Sequence, residues 1–171
     1  SDAIVGIGLG GDERRAAPEL FREVYARAAS HDLRLTVHAG ETAGPESIWS
    51  AIRDLKADRI GHGLRAIDDP ELVRYLAEHQ IPLEACITSN VLTGCCETVG
   101  QHPLRKLFDA GVLVTLNTDD PDMFRTSLVR EYQIAQDVFG FSEAELRRLA
   151  ENSFRASFLP EAKKREYLAK F

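Results

Sequence analysis

The sequence is poor in the features that would mark a membrane-spanning, nucleic-acid-binding or disulfide-stapled chain. No apolar run approaches the ~18–20 residues that a bilayer-crossing helix needs, so no membrane partner is expected. Basic residues are outnumbered, with 21 Lys and Arg against 27 Asp and Glu, a net charge of −6. They form no stripe along the chain, which argues against nucleic acid as a partner. Cysteine occurs only at Cys86, Cys95 and Cys96, without a C-x-x-C pair or an even disulfide framework. That usage makes a reducing cytoplasm the expected location. No signal-peptide pattern stands ahead of the first apolar run, which starts directly after Ser1 and Asp2. Repeats, low-complexity tracts and linkers are lacking too, so residues 1–171 are expected to form a single domain.

What is present is an alternation of short apolar runs with longer amphipathic ones. Residues 3–9, 33–37, 58–60, 81–86 and 112–116 read as strands. Between them, 18–29 reads as a helix with Leu20, Phe21, Val24 and Ala28 on its apolar face. Pro45 opens a second helix with Ile48, Trp49, Ile52 and Leu55 on one side, as Pro is favoured in a first turn. Residues 70–78 and 103–110 follow, the latter stopped by Gly111. Helical spacing then continues over roughly 125–139, 142–155 and 160–170, with a capping box at Ser142 and Glu145. This βα alternation predicts an α/β fold, and all-apolar strands such as 112–116 suit a parallel sheet covered on both faces. Five units cannot close an eight-stranded barrel, so either an open sheet or part of a barrel is expected.

The titratable residues gather at the C-terminal ends of those strands, the edge where parallel α/β proteins bind ligands and perform chemistry. Asp12 and Glu13 follow the first strand, though acids at a helix start are common and read more readily as solvated. His38 ends the second strand with Glu41 three residues on: an imidazole suited to a metal and a carboxylate placed near it. His62 sits between Gly61 and Gly63 after the third strand, and Ser89 and Asn90 follow the fourth. Asp119 and Asp120 end the fifth, before Pro121. Burying two adjacent carboxylates without a cation would be costly, so one suits a metal and the other a ligand. His31, His79 and His102 read as structural, and the three cysteines as buried small residues. Residues 91–100 are expected to form part of a pocket wall.

Taken together, these segments resemble the adenosine deaminase family. The matching stretches are G-I-G-L-G-G-D-E over 6–13, T-V-H-A-G-E over 36–41, R-I-G-H-G over 59–63, Ser89 and Asn90 with Thr93, His102 and Pro103, and L-N-T-D-D-P over 116–121. They run in family order across essentially the whole chain, and the second, third and last are highly specific. The resemblance implies the C-terminal portion of a (β/α)8 TIM-type barrel, about five βα units matching family strands 4–8, with extra C-terminal helices.

It also implies zinc-dependent hydrolytic deamination of an adenine-containing nucleoside or base. His38 and Asp119 would ligate one Zn²⁺, and Glu41 would protonate the purine ring nitrogen. His62 would orient and help activate the attacking hydroxide. Asp120 would hydrogen-bond the purine, and the backbone of Gly11 would contact its ring. Two departures stand out. The His-x-His pair with which the family begins its metal site is absent, which implies an N-terminal half supplied from elsewhere as the partner that completes the site. Gly8 and Gly10 stand where adenosine deaminases commonly have Asp and Ala, which is more like the branches that use adenine or aminodeoxyfutalosine. Competing expectations are a metal-dependent amidohydrolase acting on a cyclic amide and a non-catalytic purine-binding relative.

Overall fold

The computed structural model describes residues 4–171. Ala3, where the first expected strand begins, lies outside them. Five parallel strands form one sheet: β1 (Gly6–Leu9), β2 (Arg34–Ala39), β3 (Arg59–His62), β4 (Leu83–Ala85) and β5 (Val114–Leu116). Each pairs with the strand before it, in the unreversed order β1-β2-β3-β4-β5. Right-handed crossovers that always step the same way place their helices on one face, whereas a doubly wound sheet reverses direction midway. The arrangement is thus a parallel sheet with interspersed helices, consistent with a partial (β/α) barrel-like fold.

The connecting helices are α1 (Arg22–Ala29), α2 (Pro45–Arg53), α3 (Pro70–His79), α4 (Ile87–Leu92) and α5 (Leu104–Asp109). After β5 come α6 (Pro121–Phe124), α7 (Leu128–Asp137), α8 (Glu143–Ala156) and α9 (Glu161–Leu168). Several starts are written in local chemistry. The Asp69 side chain accepts from the Glu71 and Leu72 amides at the head of α3, and Ser142 and Glu145 close the expected capping box on α8.

The core lies between the sheet and its helices. Val37, Ile48, Ile60, Leu72, Leu76 and Leu83 are completely buried there, and burying each such side chain is worth roughly 1.5–3 kcal/mol. On β2 the burial alternates: Leu35, Val37 and Ala39 face the core, while Arg34 is exposed and Thr36 and His38 are half-buried. Coverage of both faces therefore holds for β5, whose residues are all buried, and not for β2.

Other expectations need correction. In the first helical stretch Leu20 and Val24 are exposed, and the inward face is Tyr25 and Ala28, with the Tyr25 hydroxyl donating to the Thr36 carbonyl at 2.8 Å. A 3-10 turn over Pro18–Phe21 precedes the α-helix and rotates its face. The helix expected over 125–139 starts only at Leu128, because Arg125 takes a left-handed conformation that ends the short α6 and Ser127 caps the new start. One long-range tie closes the chain on itself. Arg59 donates to the Ala156 carbonyl at 3.0 Å and stacks over the Phe158 ring at 4.2 Å.

Candidate active site

His38 lies near the end of β2, paired in register with Gly61 of β3. A Cβ at Gly61 would press into the His38 ring, so the glycine is what lets the imidazole lie across the neighbouring strand. The chain then turns at Gly40, at φ +64°, where any side chain would collide with Ile48. Glu41 follows. The whole 40–43 turn is wrapped around the carboxylate of Glu13, which accepts from the amides of Gly40, Glu41, Thr42 and Ala43 and from the Ser47 hydroxyl. Burial pushes the Glu13 carboxyl up, but those donors outweigh it and leave it below the usual value.

Glu41 is in the opposite position. Burial raises it, the neighbouring carboxylates Asp119 and Glu13 raise it further against an opposing His38, and the Cys95 thiol lies 3.8 Å from its carboxyl. It is a carboxyl inclined to keep its proton.

His62 stands at the centre. Its Nε2 is 3.2 Å from His38 Nδ1, 3.5 Å from Glu41 Oε2 and 3.9 Å from Asp119 Oδ2. Burial, with the His38 charge adding to it, pushes the His62 imidazole down to about 4, so it is neutral at pH 7. Asp119 is fixed from the side by the Ser89 hydroxyl, which donates to it at 2.7 Å. His62 and Asp119 both take left-handed backbone conformations, at φ +63° and +56°. For non-glycine residues that costs on the order of 1–3 kcal/mol each, and such strain gathers at functional sites.

Candidate ligand atoms of His38, Glu41 and His62 lie within 4.8 Å of one another, and so do those of His62, Cys86 and Asp119. This is a candidate metal-binding cluster. Burial and then the nearby carboxylates push the Cys86 thiol up. A cavity of about 480 Å³ opens onto the cluster, lined by His38, His62, Glu84, Cys86, Asn117 and Asp119 among others. A larger hollow, about 770 Å³, lies beyond Glu13 toward Trp49 and Arg53, and none of the five clustered residues lines it.

The family model described as adenosine deaminase matches residues 1–171. The chain belongs to the adenosine deaminase family. It is 47% identical over 163 residues to an aminodeoxyfutalosine deaminase of Streptomyces avermitilis, covering 95% of this chain and 46% of that protein. Among solved structures it is similar to adenine deaminase from Arthrobacter aurescens, with a TM-score of 0.94, 36% identity and coverage of 97% of this chain and 51% of that one. An amidohydrolase from Burkholderia ambifaria with bound Zn matches with a TM-score of 0.93 and 28% identity, over 99% and 48% of the two chains. The chain thus spans about half the length of the relatives it matches.

In this adenosine deaminase family chain, four of the six residues singled out from sequence converge: His38, Glu41, His62 and Asp119. The other two do not join them. Gly11, at φ +119°, lines a small recess beside Gly10 and His38, and Asp120 is exposed at the start of α6. Of residues 91–100, none lines the cavity, and Cys95 alone reaches the cluster. Sequence reasoning read Glu13 as solvated, passed over Glu131, and gave neither Asn90, noted on the rim, nor His102, read as structural, a part in supporting His62. Glu13 is 6% exposed and not solvated, its partners lying 27–34 residues away. Glu131 is fully buried, accepting from the hydroxyls of Thr88 and Thr126. Asn90 and His102 are buried behind His62. No helix among the described residues is long and apolar enough to cross a membrane.

Proposed function

We propose that this chain is one half of a zinc-dependent deaminase barrel, its strands corresponding to family strands 4–8, and that the complete protein hydrolyses an adenine-containing nucleoside or base to the oxo product and ammonia. The observation that carries this reading is the gathering of His38, Glu41 and Asp119 around His62, in two candidate ligand triads that share its imidazole. A neutral imidazole from His38 and a carboxylate from Asp119 are N and O donors that Zn²⁺ accepts, and a Zn-containing relative shares the fold. When bound, zinc lowers the pKa of its water towards 7.

The chain's own residues divide the remaining work. Glu41, whose raised carboxyl favours the protonated form, hands a proton to the purine ring nitrogen as water adds to the amine-bearing carbon. Ammonia then leaves as the carbonyl forms. His62, wedged between Glu41 and Asp119, orients the attacking oxygen. Gly11 and Asp120, at the mouth of the rim, are assigned to the purine. A buried carboxyl raised toward its protonated form favours catalysis over simple purine binding, which has no use for a proton donor.

Only His38 and Asp119 are zinc ligands in this assignment, and the sequence holds no His-x-His pair. The remaining ligands are assigned to an N-terminal half outside these residues. The test is ammonia release by the complete protein from adenosine, adenine and aminodeoxyfutalosine, with metal analysis alongside. Turnover of one of these and one zinc per site are expected. No ammonia from any of them, or tight stoichiometric zinc binding by the present polypeptide alone, would overturn the assignment.

A further inference from the structure

Behind His62, on the side away from the cluster, three buried groups form a chain. The Leu104 amide faces His102 Nδ1 at 3.2 Å, His102 Nε2 faces Asn90 Oδ1 at 3.1 Å, and Asn90 Nδ2 faces His62 Nδ1 at 3.1 Å. His62 and His102 are 4% exposed and Asn90 is fully buried, so water does not compete for these bonds. Ring tautomers and amide orientation are normally interchangeable readings of such a chain. Here one end settles them. A backbone N–H can only donate, so His102 Nδ1 must accept and its Nε2 must carry the proton. Asn90 then accepts through its oxygen and donates through its nitrogen. His62 Nδ1 must accept, which leaves its proton on Nε2. Reversing any link would set two N–H groups, or two acceptors, face to face in a dry interior.

We infer that Leu104, His102 and Asn90 form a one-way hydrogen-bond relay that locks His62 with its proton on Nε2, making it an N–H donor toward Glu41, Asp119 and His38. His102 and Asn90 are positioning residues; they act through His62 and touch no substrate. Locking the tautomer means that the resting His62 offers a donor to the oxygen it orients and is not a vacant base. The kinetic consequence rests on the deaminase reading above, whereas the tautomer itself does not.

The test is long-range ¹H–¹⁵N NMR of the zinc-bound complete protein labelled at histidine, in which Nε2 couples to both ring carbon-bound protons and Nδ1 strongly to one. Protons on Nε2 of both His62 and His102 are expected. A proton on Nδ1 of either overturns the relay, whatever the enzyme does. Asn90→Asp replaces the donor with an acceptor of the same size. It should move the His62 proton to Nδ1 and lower kcat by about 10–100-fold, the range typical when a supporting hydrogen bond is lost, with KM little changed. His102→Leu should act likewise, and His102→Gln, which restores a donor, should recover most of the loss. Unchanged kcat and tautomer in Asn90→Asp would overturn the proposal, as would losses in the His102 variants that follow melting temperature alone. If no amine substrate turns over, the deaminase reading fails while the wild-type tautomers still decide the relay.

Discussion

Glu13 and Glu41 sit on adjacent loops of one rim, in the same family of contacts, and end in opposite electrostatic states. Glu13 is the more buried, yet four amides and a hydroxyl satisfy it and hold its carboxyl low. Glu41 is held in place by the same turn, since its own amide is one of those donors, but where Glu13 has four amides its carboxyl has a thiol at 3.8 Å and the His62 ring nitrogen at 3.5 Å. One glutamate is spent on architecture so that the next can be left poised. Burial alone decides neither state; the count of donors does.

The sharpest way to break that comparison is Glu41→Gln in the complete protein. Turnover should fall by about 10²–10⁴-fold, the range for loss of a general acid. The metal-free protein should meanwhile become more stable, by about 0.5–2 kcal/mol, because a carboxyl disfavoured by burial and neighbouring carboxylates is replaced by a neutral amide. Thermal melting beside a turnover assay checks both, and a loss of stability would show that Glu41 is a structural residue after all.

Glu13→Gln should do the reverse. Its amide nitrogen would face the turn's N–H groups, so unfolding by urea should show a loss of about 1–3 kcal/mol. The pH dependence carries the same contrast. Glu13 has a folded value below its ordinary 4.5, so its stabilisation is present above that value and is lost as pH falls through the folded one. Glu41 has a folded value above 4.5, so its relative contribution is full below 4.5 and disappears as pH rises through the folded value. Urea titrations from pH 3 to 7 (about the range over which carboxylates titrate) should show a shallower acid loss in Glu13→Gln than in the wild type.

Smaller effects sharpen the picture. Ser47→Ala removes one of the donors to Glu13, and should cost about 1 kcal/mol and raise the Glu13 carboxyl toward its normal range, read by ¹³C NMR titration. Cys95→Ala removes the thiol near Glu41. A thiol is a weak donor, so stability should change by less than about 0.5 kcal/mol. A large drop in turnover there would mean that Cys95 is part of the proton path.

The strand positions and much of the rim were legible because short apolar runs give way to polar residues, as Val37 does to His38 and Leu116 to Asn117 and Asp119. What escaped depends on distant partners. α4 has the β-branched composition of a strand, and it is held as a helix by tertiary contacts such as the Thr88 amide and hydroxyl on buried Glu131, 43 residues away. Glu13 reads as an ordinary surface acid until the 40–43 turn folds over it. His102 reads as a structural histidine, and only its line through Asn90 to His62 gives it a bearing on the site. The first helix misleads for a local reason: a 3-10 turn before Arg22 shifts the phase, so Tyr25 faces inward in place of Val24.

The tie between Arg59 and Ala156 also bears on the order in which the chain assembles. Every strand joins its predecessor, so the sheet can grow one unit at a time as the polypeptide emerges, each step closing a short loop. Arg59 breaks that locality: its partner lies 97 residues further on. The guanidinium of β3 is therefore synthesised long before the end of α8, and this contact can close only once everything between has been made.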